Sequence, residues 1–95
     1  MLTTLPSLGF ETVTPSEQEF YKALGARIAE LRRDRELTQQ QVADALGISQ
    51  KTLAHYEVGR LRVAVSMLPD LAGVLGVSVP TLLGPLGKAN TQRRI

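Results

Sequence analysis

Residues 38–59 read TQQQVADALGISQKTLAHYEVG, and the reading of this stretch decides the fold. Thr38 with Gln41 three positions later is a capping box, in which the hydroxyl and the glutamine amide each satisfy a backbone group at a helix start. Val42, Ala43 and Leu46 then recur at helical spacing and give that helix one inward face. Gly47 suits the left-handed conformation that a sharp turn after a helix requires. Ser49 caps a second helix, with Leu53 and Tyr56 inward and Gly59 as its stop. Two helices joined by a short turn containing glycine make a helix-turn-helix unit. Ala43 is small where the two helices approach, and Ile48 and Leu53 fill the corner between them.

Outward from this core the chain is punctuated into further helices. Thr14, Pro15 and Glu17 combine a hydroxyl cap, a first-turn proline and a glutamate three residues after the cap. Phe20, Leu24, Ile28 and Leu31 follow as one helical stripe, with Gly25 expected to mark a join between an extension and the helix proper. Ser66 is expected to open a fourth helix carrying Leu68, Leu71, Ala72 and Leu75 as far as Gly76. Ser78, with Pro80 in the first turn, opens a short fifth helix with Leu82 and Leu83, ending at Gly84. Residues 61–65 are the one β-like run, and without a partner strand they read as loop. The expected fold is all-α: five helices over 14–84 forming a helix-turn-helix domain, with flexible arms at 1–13 and 85–95.

The composition narrows the function. Ninety-five residues, 43% hydrophobic and 21% charged, suit one small soluble domain. Cysteine is absent, which excludes thiolate metal sites, and with one histidine a zinc site would need carboxylates for most of its ligands, so no metal is expected. No apolar run nears the ~20 residues of a membrane span, and no basic-then-apolar start marks a secretory signal. A cytoplasmic protein without membrane contact is therefore expected. No nucleotide-binding glycine loop, paired carboxylate motif or nucleophilic pair is present, so neither enzymatic activity nor a cofactor is expected.

Charge is unevenly spread. Residues 1–19 carry Glu11, Glu17 and Glu19 and no base. From residue 37 onward Lys51, Arg60, Arg62, Lys88, Arg93 and Arg94 face only Asp44, Glu57 and Asp70. An acidic arm thus precedes a mildly basic body, which suits a polyanion.

Four blocks together carry a resemblance: LGARIAELRR from Leu24, TQQQVADALGIS from Thr38, YEVGR from Tyr56, and LPDLAGVLGVS from Leu68 with its closing LLG. The chain from about 24 to 84 resembles the xenobiotic-response-element family of regulators, which includes Cro and the lambdoid phage repressors. The resemblance implies a bacterial, nucleoid-associated repressor that binds double-stranded DNA with the helix at 49–58 in the major groove. The outward geometry agrees: with Leu53 and Tyr56 inward, Gln50, Lys51, Ala54 and His55 share the opposite face. Glutamine can pair bidentately with adenine and lysine can donate to guanine, so Gln50 and Lys51 are the candidate base readers. His55 stands between two readings, a base or phosphate contact and a side chain half-packed at the helix end.

Gln39 lies at a helix N-terminus, where free N–H groups attract phosphate. The family's pattern further implies that it braces Gln50. Thr52, beside the reading face, is a second phosphate candidate, and the resemblance adds Arg60 and Arg62 in the following loop. It also pairs Arg32 with Glu57 as a structural ion pair. Residues 63–65 depart from the pattern, being apolar where phage relatives often carry an arginine for the minor groove. The loop is also one residue longer.

A palindromic operator implies a homodimer, for which Val79, Leu82, Leu83 and Leu86 near the fifth helix are the expected interface. A second function class stays open: an antitoxin that autoregulates its operon and whose flanking segments, with Leu2, Leu5, Leu8 and Phe10, fold on a toxin partner.

Overall fold

The computed structural model describes residues 15–84, and the arms expected at 1–13 and 85–95 lie outside them. All regular secondary structure among the described residues is helical. Helix α1 spans Pro15–Asp34, α2 Gln39–Leu46, α3 Gln50–Glu57 and α4 Leu68–Leu75. A final helix, α5, covers residues 79–84, and a 3₁₀ turn, Val65–Met67, precedes α4. Among the described residues there is no strand, and residues 62–64 are irregular loop. No helix among them is long and apolar enough to cross a membrane.

Local chemistry sets each boundary. Thr38 Oγ1 accepts from Gln41 N at 3.0 Å, and Gln41 Oε1 accepts from Thr38 N at 2.8 Å, completing the capping box of α2. Gly47 ends α2 at φ 73°, and Ile48 N closes the turn onto the Ala43 carbonyl at 3.0 Å. Ser49 Oγ accepts from Thr52 N at 3.0 Å and starts α3 only three residues after α2 ends. Ser78 repeats this cap for α5, accepting from Thr81 N at 3.2 Å. The charges of α1 follow its dipole, with Glu17 in the first turn and Arg32 and Arg33 in the last.

Two sequence expectations are corrected. Ser66 does not open the fourth helix: it lies within the 3₁₀ turn, whose Met67 N donates to the Ala64 carbonyl at 2.9 Å. Helix α4 begins at Leu68 without a side-chain cap, and Pro69 in its first turn marks the start. Gly25 does not mark a join either, because α1 runs unbroken through it. Its role is packing: a Cβ there would lie 2.6 Å from the Glu57 carbonyl oxygen and closer still to that of Tyr56. Only hydrogen at this position lets α1 rest on the end of α3.

The core gathers one stripe from every helix. Leu24, Ile28 and Leu31 of α1 meet Val42 and Ala43 of α2, Leu53 and Tyr56 of α3, and Leu71, Ala72 and Leu75 of α4. Val63 from the loop and Leu82 from α5 complete it. Burying a Leu or Ile side chain contributes roughly 1.5–3 kcal/mol, so this cluster outweighs the weak helicity of eight-residue segments. The result is a platform holding α3 with its first turn exposed.

Candidate nucleic-acid interface

The first turn of α3 is where side chains are free to meet a ligand. Gln50 and Lys51 are both exposed there. Ser49 Oγ donates to Thr52 Oγ1 at 2.9 Å, so the Thr52 hydroxyl keeps its own proton for an outside acceptor. His55, one turn on, is half-buried, and its backbone carbonyl accepts from Arg60 N at 2.8 Å and Leu61 N at 3.4 Å. Arg60 and Arg62 are exposed on the loop thus tied down. Among the described residues neither makes an ion pair.

Behind this face runs a polar chain that joins three helices. Glu57, at the end of α3, is only 8% exposed, so its carboxylate requires partners. Arg32 of α1 supplies a two-pronged one, with Nε to Oε2 at 2.7 Å and Nη2 to Oε1 at 3.2 Å. The third guanidinium nitrogen, Nη1, donates to the Leu37 carbonyl at 2.9 Å, so the same side chain also fastens the α1–α2 link. Gln39 of α2 adds a donor to Glu57 Oε1 at 2.8 Å.

That last bond fixes the orientation of the Gln39 amide. An ionised carboxylate only accepts, so the Gln39 NH₂ faces Glu57 and its carbonyl oxygen turns outward. Gln50 Nε2 donates to that oxygen at 3.3 Å. The first exposed residue of α3 is thereby tethered to the buried ion pair through one intermediate. Gln50 retains a carbonyl acceptor and one N–H, an arrangement complementary to the major-groove edge of adenine. Gln39 retains one side-chain N–H together with the unpaired N–H groups at the start of α2, which is a place for an anion.

Sequence reasoning placed Arg32 with Glu57 and Gln39 beside Gln50, but it treated them as two separate pairs. The Gln39–Glu57 bond that fuses them spans 18 positions, and no local pattern signals it. The residues expected at a subunit interface divide. Leu82 is fully enclosed by its own protomer, a core side chain with no surface to offer a second subunit. Val79 and Leu83 are half-buried against the same core, and Leu86 lies outside the described residues.

Comparisons with known proteins agree with this fold. A family model described as a helix-turn-helix domain matches residues 23–83. An HTH-type transcriptional regulator of Sinorhizobium fredii, y4dJ, is 42% identical over 64 residues, covering 67% of this chain and 83% of its own. The immunity repressor of Bacillus phage phi105 is 38% identical over 61 residues, 64% of this chain. The chain spans 42% of the length of that repressor. An SPbeta prophage-derived HTH-type regulator of Bacillus subtilis, YonR, is 36% identical over 59 residues, 62% of this chain and 55% of its own. Among solved structures, the clp gene regulator ClgR of Corynebacterium glutamicum superposes with a TM-score of 0.67 at 29% identity, covering 79% of this chain and 84% of that one. A second ClgR structure gives 0.65 at 33% identity, covering 67% and 82%. The fold, the matched domain and the relatives converge: this chain belongs to the helix-turn-helix family of DNA-binding transcriptional regulators of the Cro and phage-repressor type.

Proposed function

We propose that this protein is a cytoplasmic repressor that reads a palindromic operator as a homodimer, with α3 of each subunit in the major groove. The observation that carries the reading is the bond from Gln50 to Gln39, which holds a base-reading amide in one orientation before DNA arrives. Gln50 and Lys51 would contact base edges, and Thr52, Arg60 and the N-terminus of α2 with Gln39 would grip the phosphates on either side. Arg62 shares the exposure of Arg60 and adds a second charge to that grip. His55 is half-buried and supports a packing role, with any DNA contact secondary.

A single helix-turn-helix reads too short a half-site to select one operator in a genome, so two subunits about 34 Å apart are needed. Val79 and Leu83 are the side chains of α5 that could meet a partner. Selection of bound sequences from random duplexes, followed by mass measurement on the winning site, tests the reading. A palindrome carrying two protomers is expected, and absence of enrichment over random DNA would reject sequence reading. Isolation of the chain with a stoichiometric toxin would favour the antitoxin alternative instead.

A further inference from the structure

The face that α3 turns outward begins polar and ends apolar. Leu53, Tyr56 and Glu57 are buried, and Val58 N donates to the Ala54 carbonyl at 3.2 Å, so regular helix geometry holds to the end of the element. Gln50 and Lys51 are exposed, and Ala54 follows them by four and three residues, which sets it one turn below both on the same face. Val58, four residues further on and 61% exposed, continues the stripe without a polar side-chain atom. His55, the one polar side chain beside them, is half-buried. Beyond its first turn this face therefore offers little hydrogen bonding to a base edge.

A hydrogen-bonding base edge pressed against Ala54 loses water and gains no partner, which is an unfavourable exchange. Thymine is the base that escapes this cost, because its C5-methyl is the one methyl group that the four bases present in the major groove. That methyl stands out into the groove, and Ala54 is several bonds shorter than Gln50 or Lys51, so the two surfaces complement each other. Four residues of helix advance about 6 Å, just under two base-pair steps of ~3.4 Å. The base below Ala54 is thus no more than two pairs from the base below Gln50.

We infer that Ala54 is a specificity residue, taking the C5-methyl of a thymine one or two base pairs from the adenine that Gln50 reads. The inference rests on the proposed entry of α3 into the major groove and adds to it a base contact made without a hydrogen bond. It extends to modified DNA, because 5-methylcytosine presents the same methyl in the same place.

Full-length protein and the duplex selected from random sequence test it. Deoxyuridine, which differs from thymine only in lacking the methyl, is placed at one thymine at a time in one half-site. A loss of about fourfold, the contribution of one methyl taken out of water, is expected at a single position within two pairs of the base whose preference Gln50→Ala relaxes. Other thymines should tolerate the change. In Ala54→Gly the ratio of thymine to deoxyuridine affinity at that position should fall to one. A ratio within one variant does not depend on how much of it is folded, so the weaker helix that glycine brings leaves it undisturbed. Replacing the same pair by C·G should weaken binding, and 5-methylcytosine there should recover about fourfold. Indifference to deoxyuridine at every thymine of the half-site, or a selected half-site with no thymine in that window, would overturn the inference. A ratio that persists in Ala54→Gly would overturn it too, since the methyl would then act through DNA shape or another side chain. No enrichment over random DNA would reject sequence reading itself and Ala54 with it, whereas enrichment without methyl dependence removes Ala54 alone.

Discussion

At the scale of single residues, two backbone positions are under opposite constraints. Gly25 allows no side chain, because the atoms a Cβ would meet are the carbonyl oxygens of Tyr56 and Glu57 and cannot swing away. Gly25→Ala, ordinarily favourable in a helix, should therefore destabilise this protein by about 3 kcal/mol, as an overpacked contact does. Urea unfolding measures it, and a neutral result would mean that α1 and α3 can part without cost. Glu36 is the reverse case. It occupies the left-handed region at φ 59° while Leu37 N closes the end of α1 onto the Arg32 carbonyl at 3.1 Å. A side chain there costs roughly 1–2 kcal/mol, and glycine gives back about 0.4–1 kcal/mol through the looser unfolded chain. Glu36→Gly should raise the melting temperature by a few degrees. Neither constraint is legible in the sequence: Gly25 looks like a helix defect until its neighbour 31 residues away is in place, and glutamate gives no hint of positive φ.

At the scale of elements, α2 and α3 were the most legible part of the molecule. Their capping residues, Thr38 and Ser49, and their turn glycine, Gly47, act within three or four positions, so the signal is local. The start of α4 was less legible because two signals compete there, and the proline at 69 won over the hydroxyl of Ser66. What sequence could not supply was the polar chain from Arg32 through Glu57 and Gln39 to Gln50, which needs three helices assembled. Glu57→Ala should cost about 3 kcal/mol, since it strands Arg32 and frees the Gln39 amide. It should also loosen Gln50, visible as broadened side-chain amide signals. Under the proposed function Gln50→Ala should weaken the best site by about 1–3 kcal/mol and relax preference at one base position. Arg60→Ala should instead weaken all sequences alike and lower the salt slope by about one. If the two variants respond identically across a panel of sites, the division into reader and phosphate anchor is wrong.

At the scale of the whole molecule, α5 is the element through which two domains would pair under the proposed function. Its composition suggested an excess of apolar side chains, yet Leu82 is spent entirely on closing the core of its own protomer. Val77, Val79 and Leu83 are partly buried against that same core, so the surface left for a partner is narrow. A narrow apolar contact fits a weak dimer that DNA completes, because two half-sites on one duplex raise the effective concentration of the second subunit. The two leucines of α5 should therefore behave differently. Leu82→Ala removes a fully enclosed side chain and should cost about 2–5 kcal/mol, lowering stability and every kind of binding together. Leu83→Glu places a charge on a half-exposed position. It should leave the fold standing while abolishing cooperative binding to a palindrome, with single half-sites bound as before. Sedimentation of each variant with full and half sites separates the effects, and a Leu83→Glu protein that still fills a palindrome cooperatively would exclude α5 as the subunit contact.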